Sequence, residues 1–129
     1  MDEAQTFAPS SPATACLQST LALAAQARKY GLGLVFATQA PKGLHNRIVG
    51  NATTQFYGFM NAPAQIAAVR EIAAMKGGDV PDISRLKPGL FYIASDAIAL
   101  QKITTPNCLS YHPRSPMTPM EVLEIASAR

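Results

Sequence analysis

Apolar positions recur along this chain first at helical and then at strand-like spacing. In CLQSTLALAAQARKY, residues 16–30, Leu17, Leu21, Ala24 and Ala25 share a helical face among strong helix formers. Gly31 follows as a stop, since glycine adopts the left-handed backbone that closes a helix at no steric cost. The run GLGLVFATQ at 31–39 sets Leu32, Leu34, Val35, Phe36 and Ala37 between that glycine and Pro41. Its length and uniform apolarity predict a strand buried on both faces, as in a parallel sheet. GLHNRIVGNAT predicts a short helix, and TQFYGFM another strand. In PAQIAAVREIAAMKGG, Pro63 opens a helix that aligns Ile66, Val69, Ile72 and Ala73 and stops at Gly77 and Gly78.

Beyond the linker DVPDISRLKPG, the runs LFYIAS and AIALQKITT read as a hairpin turning at Ser95 and Asp96. TPMEVLEIASAR supplies Thr118 as an N-cap, Pro119 at the first helical position and Glu121 in the capping-box place. This order of elements predicts a single α/β layered domain over residues 1–129, with a mostly parallel sheet, a terminal β-hairpin and a C-terminal helix.

Composition supports a folded domain: 48% of the 129 residues are hydrophobic and 15% charged, enough apolar surface for a core. The ten prolines fall between the periodic segments. A net charge of +3 is spread along the chain with no Lys/Arg run, so charge by itself specifies no nucleic-acid site. Cys16 and Cys108 are far apart and lack metal-ligand spacing, which predicts buried thiols in a reducing compartment. With neither a secretory signal pattern nor an apolar run of membrane-spanning length, a cytoplasmic protein is expected. His45 and His112 have no partner at metal-ligand spacing, and Met75, Met117 and Met120 read as core filler. No serine sits in a G-x-S-x-G setting.

The chemistry concentrates in two places, Asp2 and Glu3 with Gln5, and Thr38 with Gln39 at the carboxyl end of the first expected strand. That end is where open α/β sheets bind ligands. Adjacent carboxylates there can divide two tasks, one holding Mg²⁺ through water and one polarising an attacking water. A glutamine on the neighbouring strand can orient that water or sense a terminal phosphate.

These residues carry a resemblance. DEAQ at 2–5, QARKYGLGLVFATQAPKGL at 26–44, IVGNATTQFYGFMNAP at 48–63 and LKPGLFYI at 86–93 resemble the HerA, FtsK and type IV secretion ATPases, hexameric P-loop motors with a RecA-like core. The resemblance implies that Asp2 is the magnesium ligand and, with Thr38, a nucleotide contact. It makes Glu3 the general base and Gln39 the γ-phosphate sensor. It further implies Mg²⁺ and ATP as cofactors of the full-length protein, DNA or protein as translocated substrate, and a hexameric assembly.

Two departures shape the expectation. No G-x-x-x-x-G-K-[ST] occurs, so the phosphate cradle is missing, and Gly58, Phe59 and Met60 stand where relatives carry an arginine. Arg47 and Arg70 are substitutes by proximity alone. The expected identity is the C-terminal portion of a RecA-like core, from the Walker B carboxylates onward, in a fragment or truncated form that continues upstream. Such a chain is expected to bind no cofactor and hydrolyse no ATP alone, and to dimerise in isolation. Lys42 and Arg47 are candidate nucleic-acid contacts. The alternative is an inactive adaptor or oligomerisation domain of the same fold.

Overall fold

The computed structural model describes residues 1–106, 108–110 and 115–128. Helix α1 (Leu17–Gln26) buries Leu17, Thr20 and Leu21, and a 3₁₀ turn at Ala27–Tyr30 extends it to Gly31, whose φ of 69° ends the helix as the sequence predicts. Helix α2 (Asn46–Asn51) is capped by His45, whose Nδ1 accepts from the backbone N–H of Arg47 at 3.2 Å. Helix α3 (Pro63–Met75) starts at its proline and buries Ala68, Val69 and Ala73. Helix α4 (Pro119–Ser127) opens with the expected capping box, in which Thr118 and Glu121 satisfy each other's backbone N–H groups.

Strands β1 (Thr54–Tyr57), β2 (Leu90–Ser95) and β3 (Gln101–Thr104) form one sheet in the order β1-β2-β3. Both pairings are antiparallel, with Tyr92 opposite Tyr57 on one side and Lys102 on the other. The predicted hairpin is therefore present, whereas the described sheet is not the mostly parallel one expected. A connection as short as 96–100 can join only antiparallel strands, because a parallel return needs a crossover of a dozen residues or more.

The GLGLVFATQ segment also departs from expectation. No strand is assigned over residues 31–39; Leu32 and Val35 are exposed, at 55% and 79%, while Phe36 is half-buried against the core cluster of Ala4, Leu17 and Leu44. A strand buries both faces only when neighbours flank it, and here the backbone running alongside is that of the short N-terminal segment, Met1 and Ala4. The Met1 amino group donates to Val35 O at 2.7 Å, and Ala37 N donates to Met1 O at 2.9 Å. These two bonds have the slanted pattern of a parallel pairing between Met1 and Phe36.

The core is split in two. Tyr57, Val69, Ala73, Val80, Ile83, Leu86 and Tyr92 pack between α3 and the sheet. Ala4, Ala8, Leu17, Leu21, Leu44 and Ile48 form a second cluster that joins the N-terminal segment to α1 and α2. Two side-chain types sit elsewhere than expected: Cys16, Cys108 and the methionines 75, 117 and 120 are all exposed. Those methionines lie at or beyond helix ends that no second layer covers. His112 lies outside the described residues.

Candidate functional site

The first eight residues fold onto the second core through small side chains. Ala4 and Ala8 are completely buried, Ala4 N donates to Ala37 O at 2.8 Å, and His45 N donates to Ala8 O at 2.8 Å. Alanine permits this close approach, and the result is that residues 2–5 lie beside residues 37–39. The juxtaposition the sequence motif required is thus built by backbone bonds spanning more than thirty positions.

Glu3 sits at the bend in a left-handed conformation, φ 46° and ψ 48°. For a residue with a Cβ this costs about 1–2 kcal/mol. Its carboxylate is gripped from both sides. Gln39 Nε2 donates to Glu3 Oε1 at 2.9 Å, and Gln5 Nε2 donates to Glu3 Oε2. The Thr38 hydroxyl donates to Gln5 Oε1 at 2.5 Å and accepts from Ala40 N at 3.0 Å. Gln39, Glu3, Gln5 and Thr38 therefore form one continuous chain of hydrogen bonds in which each amide has a fixed orientation.

Gln65, in the first turn of α3, extends that chain by donating to Gln39 O at 2.5 Å. Nothing in the sequence pointed to it, because its role depends on where α3 lands. Asp2 is exposed next to the network, and its Oδ1 accepts from Glu3 N at 3.0 Å.

The two basic candidates are elsewhere. Lys42 follows the site on a 3₁₀ turn (Pro41–Gly43) and pairs with Glu71 at 3.1 Å, both side chains about two-thirds exposed. Arg47 is exposed on α2. Arg70 reaches Pro81 O at 3.4 Å and Asp79 at 4.0 Å, away from Glu3's partners.

The donor set can be matched to the implied cofactors. Asp2 and Glu3 offer hard carboxylate oxygens, and no group of three or more His, Cys, Asp or Glu converges among the described residues. Mg²⁺ is commonly held in this way, by one or two carboxylates with waters and substrate phosphates completing its shell. The residues present fit that half of a nucleotide site. The phosphate-wrapping half, a glycine-rich loop with its lysine, is not encoded between residues 1 and 129.

A cleft of about 380 Å³ beside Leu86–Phe91 contains none of the expected site residues. A groove of about 590 Å³ between α2 and α3 includes Lys42 and His45. No helix among the described residues is long and apolar enough to cross a membrane.

No protein-family model and no curated protein matches the chain. Solved structures do. The chain is similar to the genome packaging NTPase B204 from Sulfolobus turreted icosahedral virus 2 in complex with ATP-gammaS, at a TM-score of 0.59 and 20% identity. Its complexes with AMPPCP and with AMP give TM-scores of 0.60 and 0.57 at 19% and 23% identity. These matches cover 82%, 81% and 84% of this chain but only 50%, 52% and 51% of theirs. The fold likeness agrees with the sequence resemblance to HerA/FtsK-type P-loop ATPases, and the chain carries a mixed α/β fold matching about half the length of a genome packaging NTPase.

Proposed function

We propose that this chain is the catalytic-carboxylate half of a HerA/FtsK-type motor ATPase that translocates DNA. The observation that carries this reading is the bond between Glu3 and Gln39, which unites a carboxylate carried on a left-handed backbone with a polar side chain at the end of an extended apolar segment. Strain of this kind persists where the surrounding structure over-determines a functional geometry. In the proposed site Asp2 holds hydrated Mg²⁺, Glu3 accepts a proton from the attacking water, and Gln39 and Thr38 face the terminal phosphate.

The parallel pairing of Met1 with Phe36, and the apolar side chains of residues 32–35 left in solvent, support a fuller parallel sheet. Its remaining strands, and the phosphate loop, come from polypeptide upstream of Met1. The packaging role of the similar NTPase supports DNA as the moved substrate, and a hexamer is the assembly proposed for the full protein. In this reading ATP is bound only when the upstream half is present.

The test has two arms. For this chain alone, titration calorimetry with Mg·ATP is expected to show no binding in the micromolar range. Tight binding that persists in Asp2→Ala and Glu3→Ala would mean that the phosphates sit elsewhere. In the protein extended through an in-frame upstream P-loop, Glu3→Gln is expected to slow hydrolysis by about 10²–10⁴-fold while ATP still binds. Hydrolysis at the unaltered rate would instead favour the adaptor reading, in which the same fold only mediates assembly.

A further inference from the structure

Gln5 has no role in the reaction proposed above, yet its side chain is what joins Glu3 to Thr38. Its Nε2 donates to Glu3 Oε2, and its Oε1 accepts from the Thr38 hydroxyl at 2.5 Å. The half-buried stem runs against the loop that follows Thr38, where a Cβ added at Gly43 would lie 3.7 Å from Gln5 Cβ and 3.9 Å from its Cγ. The preceding Ala4 is completely buried and donates its backbone N–H to Ala37 O at 2.8 Å, which fixes the backbone from which Gln5 projects.

Hydrogen-bond supply dictates which way the Gln5 amide faces. A backbone N–H can only donate, and that of Ala40 gives its proton to Thr38 Oγ1 at 3.0 Å. The single proton of the Thr38 hydroxyl is then directed at Gln5, which must present its carbonyl oxygen. The NH₂ end is thereby turned to Glu3, whose carboxylate accepts. With Gln39 Nε2 on Oε1 at 2.9 Å, that carboxylate is held at both oxygens. Its plane is fixed, although the last torsion of a glutamate side chain is soft. A general base works only within hydrogen-bond reach of the proton it takes, so this orientation bears on the rate.

We propose that Gln5 is a positioning residue that aims the Glu3 carboxylate at the attacking water, with Thr38 setting which end of its amide faces Glu3. The proposal rests on the reading of Glu3 as the general base. A residue that only filled space would accept any side chain of its size. Gln5→Glu keeps the size but sets a second carboxylate against the first, where like charges repel.

Steady-state ATPase kinetics test this in the protein extended through an in-frame upstream P-loop. Gln5→Ala is expected to lower kcat by about 10–100-fold with the KM for Mg·ATP little changed, because orientation and not binding is lost. Gln5→Glu is expected to be at least as slow as Gln5→Ala. An unaltered kcat in Gln5→Ala, a loss confined to KM, or full activity in Gln5→Glu overturns the proposal. Glu3→Gln is assayed beside them. If it hydrolyses at the unaltered rate, the base reading falls and the proposal with it; if it is slow while Gln5→Ala is not, the proposal alone falls. The present chain supplies a second measurement that needs neither nucleotide nor a Gln5 variant. By NMR, the side-chain amide protons of Gln5 are expected to exchange with water more slowly than those of the exposed Gln101, and to lose that protection in Thr38→Val and in Glu3→Ala. Exchange at the Gln101 rate overturns the proposal even where the Gln5 variants fail to fold.

Discussion

Glu3 accepts a hydrogen bond from the Gln39 side chain at 2.9 Å, across 36 positions of sequence, while the backbone of Glu3 is held left-handed. The bond joins the two motifs that the sequence presents separately. A double-mutant cycle with Glu3→Ala and Gln39→Ala should therefore return a coupling of about 1 kcal/mol in equilibrium unfolding. Additive losses would mean that the two side chains do not hold each other in solution.

Strain at Glu3 has its own signature. Glu3→Ala and Glu3→Gly both remove the carboxylate, but only alanine keeps a Cβ at φ 46°. The glycine variant is expected to be more stable than the alanine variant by about 1 kcal/mol, measured by urea denaturation. Equal stabilities would place residue 3 in an ordinary conformation.

Acid and alkali should act on the sheet through Asp82. It accepts from Tyr92 OH and from Lys102 Nζ, and Lys102 stands 5.5 Å from the Tyr92 ring centroid. The Lys102 hydrogen bond, then that of Tyr92, holds the Asp82 carboxyl below its ordinary value. A depressed acid stabilises the fold above its unfolded pKa and loses that contribution as pH falls through its folded one, so the loss begins below about pH 4. Thermal unfolding of the protein and of Asp82→Asn should differ at pH 7, and the difference should shrink as pH falls through the lowered Asp82 value. The Lys102 ammonium is raised by the same hydrogen bond, so its contribution is complete below its unfolded pKa and disappears on strong alkalinisation.

Gly78 is required by space. A Cβ added there would lie 2.6 Å from Leu100 Cδ2 and 2.8 Å from its Cβ, where α3 ends against the segment entering β3. Gly78→Ala is expected to cost about 1–3 kcal/mol, read as a lower denaturation midpoint at unchanged slope. An unaltered midpoint would mean that Leu100 moves aside freely.

Under the proposed DNA-motor reading, Lys42→Ala with Arg47→Ala in the full-length protein should weaken duplex DNA binding, each lost phosphate contact lowering the salt slope by about 0.9. Since Lys42 is paired with Glu71, Glu71→Gln should have the opposite effect. Anisotropy titrations over a range of salt decide this, and affinity unchanged in both variants would remove these residues from the DNA path.

Helices and their ends were legible in the sequence because they rest on local rules. Pro63 and Thr118 open helices, Gly31 closes one, and the apolar spacing of Val69 and Ala73 marks a buried face. The hairpin of β2 and β3 was legible for the same reason, as was the pairing of DEAQ with TQ through their shared resemblance to the motor ATPases. What the sequence could not determine depends on neighbours. Leu32–Ala37 has the composition of a buried strand, but burial requires flanking strands, and the backbone beside it is the short N-terminal segment, through Met1 and Ala4. The antiparallel pairing of β1 with β2 and the place of Gln65 against Gln39 were decided in three dimensions, because each is fixed by contacts between segments far apart in the chain.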